Sequence, residues 1–236
     1  MRTLFCPELK LKGIIFDLDS TLIQAHIDFE SMKAEMIRLL ESKGYDRGDL
    51  SPTQHTTVQI LEKAREWWLE QGKPEEEWKN TLLEIEAIMN RGELKALANL
   101  TEIEGAREAV KTLKAKGLKL AILTRSCHQY AVEALRKLGL LDYFDVILGR
   151  NETPEPKPYK AAIDYTAHAL GLEVGEVAMV GDHQIDWDSA QNSGCLFIGV
   201  GTGRRGLDSW RDQQPPPHFI PSIGSLPQYL EGLGLI

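Results

Sequence analysis

The spacing of apolar positions changes twice along the chain, and each change marks a new kind of element. Ile14-Ile15-Phe16 is a consecutive apolar run, the pattern of a strand buried on both faces within a parallel sheet. From Phe29 the apolar residues fall at steps of three and four. Phe29, Met32, Met36, Ile37 and Leu40 predict an amphipathic helix ending near Gly44. Val58, Ile60, Leu61, Ala64, Trp67, Trp68 and Leu69 predict a second helix, closed by Gly72 and Pro74. Pro74 followed by Glu75, Glu76 and Glu77 opens a third, since acidic residues favour a first turn. Trp78, Leu82, Leu83, Ile85 and Met89 carry it towards Gly92. Residues 24–99 therefore read as helical, without a strand.

Beyond Glu104 helix and strand alternate. A helix around 106–116 leads through Gly117 to the strand 118–123, and a helix over 127–138 leads through Gly139 to the strand 144–148. A proline-rich loop, 151–158, precedes a helix over 159–170 and a strand at 177–180. A further helix ends near Gly194, the strand 195–200 follows, and a short strand at Phe219-Ile220 and a helix over 225–233 close the chain. Such alternation predicts a parallel sheet covered on both faces. The fold expected is α/β, a Rossmann-like core formed by residues 1–23 and 100–236. Its first strand is followed at once by an inserted helical cap, residues 24–99.

Composition narrows the function classes. An apolar share of 42% with 26% charged residues suits a soluble globular protein, and 236 residues suit one core with a large insertion. A net charge of -8 argues against a general nucleic-acid surface, which needs clustered lysine and arginine, but leaves room for a small anionic ligand. No apolar run approaches the ~20 residues of a membrane helix, so no membrane partner is expected. The opening MRTLFCPELK lacks a basic region followed by an apolar core, so no signal peptide is expected. Cys6, Cys127 and Cys195 form neither a CxxC pair nor an even framework, which fits reduced thiols and a cytoplasmic location. Oligomeric state is not readable from the sequence.

Chemistry gathers where the predicted strands end. Asp17 and Asp19 follow the first strand, Thr124 and Arg125 follow 118–123, Lys157 lies after 144–148, and Asp182 and Asp186 follow 177–180. In a parallel sheet these ends share one edge, where α/β proteins bind ligands. Each has a plain alternative: a turn for the aspartates, a helix cap for Thr124, a solvated lysine at a helix start for Lys157. Jointly they point elsewhere. Carboxylates about 5 Å apart repel by about 3 kcal/mol per pair at an effective dielectric near 20. Asp17, Asp19, Asp182 and Asp186 together thus call for a cation, and Mg²⁺ suits a site of oxygen ligands that receives phosphate. No His/Cys spacing suggests zinc, and His183 reads as a loop or substrate-side residue. Trp67, Trp68 and Trp78 read as helical core rather than a substrate pocket, and Arg204 and Arg205 as a solvated pair rather than an anion site.

Asp17-Leu18-Asp19-Ser20-Thr21, Thr124, Lys157 and Gly181-Asp182 with Asp186, in that order, resemble the four motifs of the haloacid dehalogenase superfamily. The helical insert resembles the cap of its phosphoglycolate phosphatase-like branch. Two positions depart from that branch: Ile23-Gln24-Ala25 replaces the usual Val-Asp-Ser, and Glu104-Gly105 the usual Pro-Gly. The resemblance implies a phosphatase that hydrolyses a small phosphorylated metabolite, a phosphoglycolate-like ester or a sugar phosphate. Asp17 would be the nucleophile, forming an aspartyl-phosphate, and Asp19 the general acid and base. Thr124, Arg125 and Lys157 would bind phosphate. Mg²⁺ would be held by Asp17, the backbone carbonyl of Asp19 and Asp182, with Asp186 as ligand or support. A sugar phosphomutase of the same superfamily and a non-catalytic phospholigand-binding protein are the alternatives.

Overall fold

The computed structural model describes residues 10–203 and 206–236. Strand β1 (Gly13–Phe16) and the two-residue β2 (Ile23–Gln24) precede three helices, α1 (Phe29–Ser42), α2 (Thr57–Glu70) and α3 (Glu75–Ala96). Then follow β3 (Thr101–Glu102), α4 (Ala106–Ala115), β4 (Lys119–Leu123), α5 (His128–Lys137) and β5 (Val146–Leu148). Helix α6 (Lys160–Ala169), β6 (Val177–Gly181), α7 (Gln184–Ser193), β7 (Leu196–Val200), β8 (Phe219–Ile220) and α8 (Leu226–Gly232) complete the chain. None of these helices is long and apolar enough to cross a membrane.

The chain divides into two compact units: His26–Ala98, and the remainder, which runs through Ala25 and resumes at Asn99–Ile236. The larger unit is a six-stranded sheet in the order β5-β4-β1-β6-β7-β8, every neighbouring pair parallel. Ile14, Ile15 and Phe16 are fully buried, as an apolar run in a central parallel strand must be. Since β1 lies between β4 and β6, the chains leaving β1, β4 and β6 emerge side by side at one edge. Ile15, Ala121, Leu123, Met179 and Phe197 face a layer that includes Ala162 and Ile163 of α6, Ala190 of α7 and Trp210.

The smaller unit has its own core. Met36, Leu40, Ile60, Trp67, Trp68, Trp78 and Ile85 belong to one buried cluster, and the ring centroids of Trp68 and Trp78 lie 5.5 Å apart. The ammonium of Lys73 sits 4.5 Å from the centre of the Trp68 ring while donating to the carbonyl of Lys43. The tryptophans are core residues of this unit.

The structure departs from the sequence reading in three places. Helix α3 does not stop at Gly92 but continues to Ala96. A Cβ at Gly92 would meet Met32 Sδ at 3.1 Å, so this glycine serves close packing of α3 on α1 rather than termination. Strand β5 starts at Val146, while Phe144 turns its ring edge-on to Phe16 at 6.2 Å. The antiparallel pair β2–β3 was not expected, because two-residue strands carry no period. It joins Ile23–Gln24 to Thr101–Glu102, so both departures from the family pattern lie at or beside it.

Candidate active site

The first aspartate follows a strand locked on both sides, with the Asp17 N–H donating to the Val180 carbonyl of β6. The chain then folds tightly. The Leu18 carbonyl accepts from the N–H groups of Thr21, Leu22 and Ile23, and Ser20 adopts a left-handed φ of 65°. Thr202 Oγ1 donates to the Ser20 carbonyl at 2.6 Å, tying this turn to the segment after β7.

Lys157 stands at the centre. It is 3% exposed, and its ammonium donates to Asp17 Oδ1 at 2.7 Å and to Asp186 Oδ1 at 2.6 Å. Asp17, Asp182 and Asp186 each present an oxygen within 4.8 Å of the others. Thr21 Oγ1 donates to Asp182 Oδ1 at 3.4 Å, and the His183 N–H donates to Asp186 Oδ2 at 3.3 Å. The close approach of Asp186 to β6 requires Gly181, because a Cβ there would lie 2.5 Å from Asp186 Oδ2.

Burial sets the electrostatics. It raises the Asp17 carboxyl to about 6, with Lys157 opposing the rise and Asp186 adding to it. It raises Asp182 to about 8, with the charges of Asp17 and Asp186 adding and Lys157 opposing. Burial alone would lower Lys157, but the Asp17 and Asp186 carboxylates outweigh it and hold the ammonium above its ordinary range. Three carboxylates face one ammonium, and two of them sit well above their ordinary values. Three carboxylates whose oxygens lie this close together at a largely buried position fit a hard divalent cation, which takes oxygen ligands.

Asp19 stands outside the three-carboxylate group. The extended backbone that would have aligned it with Asp17 ends at Phe16, and Asp19 instead forms an isolated bridge with Ile23. Its carboxylate accepts from Ser126 Oγ at 3.0 Å and from the Tyr130 hydroxyl at 2.6 Å. The repulsion expected among four carboxylates is thus confined to three.

Thr124 is buried at the end of β4, where its hydroxyl accepts from the Ser126 N–H at 3.1 Å. It does not cap α5, whose N-cap is Cys127. Burial lowers the Arg125 guanidinium, and the charge of Asp186 partly offsets this, so the group feels the cluster's field. The Arg125 carbonyl accepts from Arg150 Nη1 at 3.5 Å. His183 lies in the turn before α7 as its N-cap, and its Nδ1 accepts from the Ile185 N–H at 3.2 Å. Arg204, Arg205 and Cys6 lie outside the described residues. Ser126, Tyr130 and Thr21 are the site residues to which the sequence reading gave no role. Tyr130 falls on the apolar stripe of α5 and reads there as packing.

A family model described as Haloacid dehalogenase-like hydrolase matches residues 14–200. Phosphoglycolate phosphatase of Neisseria meningitidis is 42% identical over 123 residues, 51% of each chain. Pyrophosphatase PpaX of Halalkalibacterium halodurans is 35% identical over 132 residues, 56% of this chain and 60% of that protein. The chain thus spans about half the length of the curated relatives it matches. Among solved structures, β-phosphoglucomutase from Clostridium difficile superposes with a TM-score of 0.65 at 18% identity, over 94% of this chain and 96% of that one.

Proposed function

Since the chain belongs to the haloacid dehalogenase-like hydrolases, we propose that it is a Mg²⁺-dependent phosphatase that transfers the phosphoryl group of a small phosphorylated metabolite to Asp17 and then to water. The observation that carries this reading is the Lys157 ammonium, bridging Asp17 at 2.7 Å and Asp186 at 2.6 Å beside Asp182. That arrangement holds a nucleophilic carboxylate among groups suited to a dianionic phosphate.

In the first step an Asp17 oxygen bonds to phosphorus, the ester P–O bond breaks, and the leaving oxygen takes a proton from Asp19. In the second, Asp19 takes a proton from water, whose oxygen bonds to phosphorus as the Asp17–phosphorus bond breaks, and phosphate leaves. Lys157, Thr124 and Arg125 offset the charge on the transferring group. Asp17, the carbonyl of Asp19 and Asp182 would hold Mg²⁺, supported by Asp186. Bound there, it supplies Lewis-acid neutralisation of phosphate charge. The phosphoglycolate phosphatase and pyrophosphatase names of the relatives support a small anionic ester or anhydride as substrate. Selection among such compounds falls to the segment that the resemblance assigns to a cap, residues 24–99, most of which forms the separate unit His26–Ala98.

The test is phosphate release from a panel of phosphorylated metabolites, with Mg²⁺ or with chelator. Release that requires Mg²⁺ is expected. No release from any compound with Mg²⁺ present, or conversion of a sugar phosphate into its isomer without net release, would overturn the phosphatase reading.

The raised carboxyls also predict a pH-dependent stability. An acid whose folded pKa exceeds its unfolded value of 3.8 holds the extra proton when folded. The stability due to Asp17 and Asp182 is therefore complete below about pH 4 and lost as pH rises through about 6 and about 8. Carboxyls held low, such as Asp28 and Asp145, act in the window below the ordinary value and leave this one clear. Metal-free protein is expected to lose a few kcal/mol, order of magnitude, between about pH 5 and pH 8 from these groups. Mg²⁺ should consequently raise the melting temperature more at about pH 8 than at about pH 5.5. Calorimetry at both pH values checks this, and equal Mg²⁺ effects would contradict it.

A further inference from the structure

We propose that Tyr130 and Ser126 are positioning residues that aim the Asp19 carboxylate at the leaving oxygen, an inference that rests on the phosphatase reading above. Each oxygen of the carboxylate has its own donor: the Tyr130 hydroxyl at 2.6 Å from Oδ1, and Ser126 Oγ at 3.0 Å from Oδ2. Both donors are themselves held. Tyr130 is fully buried on the packed face of α5 with Ala131, Ala134 and Leu135. Ser126 is 8% exposed, and its N–H donates to the hydroxyl of Thr124.

The backbone of Asp19 is also constrained. It bridges Ile23 on one side and meets the left-handed Ser20 on the other. Side-chain torsion is the freedom that remains, and two donors on two oxygens remove it. The segment after β4 therefore serves two purposes. Thr124 and Arg125 face the phosphoryl group, while Ser126 and Tyr130 orient the acid that acts on the other side of the breaking bond. A proton donor acts only within hydrogen-bond reach of the atom it protonates, so small errors of aim cost rate.

The test exploits the leaving group. An alkoxide must be protonated as it departs, whereas p-nitrophenolate leaves without a proton. The value of kcat/KM reports the steps up to cleavage of the ester bond, so it isolates this demand. Y130F keeps the ring and its packing. It should lower kcat/KM for an alkyl phosphate about tenfold, a share of the 10²–10⁴ typical of a general acid, and for p-nitrophenyl phosphate less than about twofold. S126A, at the other oxygen, should show the same selective loss, so the inference stays testable should Y130F fold poorly. D19N in parallel should show the pattern at larger amplitude. If D19N is selective while a folded Y130F and S126A lower both substrates alike, or neither, the positioning role is overturned and the acid assignment stands. If D19N itself shows no leaving-group selectivity, the acid assignment fails and this inference with it.

Discussion

Asp17→Asn is expected to lower phosphate release by about four orders of magnitude or more, the scale seen when a nucleophile that acts in concert with its neighbours is lost. The amide oxygen has no charge with which to form an acyl-phosphate, while size and shape are nearly unchanged. Folding should survive. Lys157 keeps Asp186 as a charged partner, and the new side-chain amide offers its oxygen as an acceptor in place of the carboxylate. The substitution also removes one of the charges that burial and mutual repulsion hold at a disadvantage. The metal-free variant should therefore melt at least as high as the parent at about pH 8. Assay and calorimetry on the same preparation separate the two effects. Retained turnover would remove Asp17 from the nucleophile's role, and loss of both turnover and folding would show the position to be structural.

Lys157→Met is expected to act on stability as well as rate. Taking one partner from a buried ion pair costs roughly 3–5 kcal/mol because the charge left behind has no compensation. Here the ammonium bridges two carboxylates with a third beside them. The destabilisation should be larger at about pH 8 than at about pH 5, since the raised values of about 6 for Asp17 and about 8 for Asp182 mean that both carboxyls are mostly protonated at the lower pH. Mg²⁺ should restore part of the stability by supplying positive charge to the same oxygens. It should not restore activity, because charge stabilisation of the transferring group, typically worth about 10²–10³ per donor, is lost with the lysine. Urea unfolding at the two pH values, with chelator and with Mg²⁺, reads all of this. A variant as stable as the parent at the higher pH in chelator would show that Lys157 does not hold the carboxylates together.

What was legible in the sequence follows a simple division. Strands β1, β4, β6 and β7 are apolar runs because both of their faces are covered, and that pattern needs no tertiary information to read. Once the sheet is parallel, the residues just after each strand fall at one edge, which is why Asp17, Lys157, Asp182 and Asp186 could be grouped before their contacts were known. Features set by long-range partners were not legible. Gly92 looks like a terminator until Met32 is seen packed against it. His183 sits among acids yet spends its ring on the first turn of α7. Asp19 has the spacing to join Asp17, but its partners come from more than a hundred residues away, and no periodicity in α5 distinguishes Tyr130 from a packing residue.

In the proposed reaction everything turns on Asp17 carrying the phosphoryl group between substrate and water. The most direct test of this role is acid quenching of the enzyme during turnover of an accepted phosphate ester, followed by borohydride reduction and mass spectrometry of the peptide spanning β1 and its turn. An acyl-phosphate on Asp17 is expected, reduced there to homoserine and absent from Asp17→Asn. A trapped phosphoryl group on any other residue, or turnover with none on Asp17, would contradict that role.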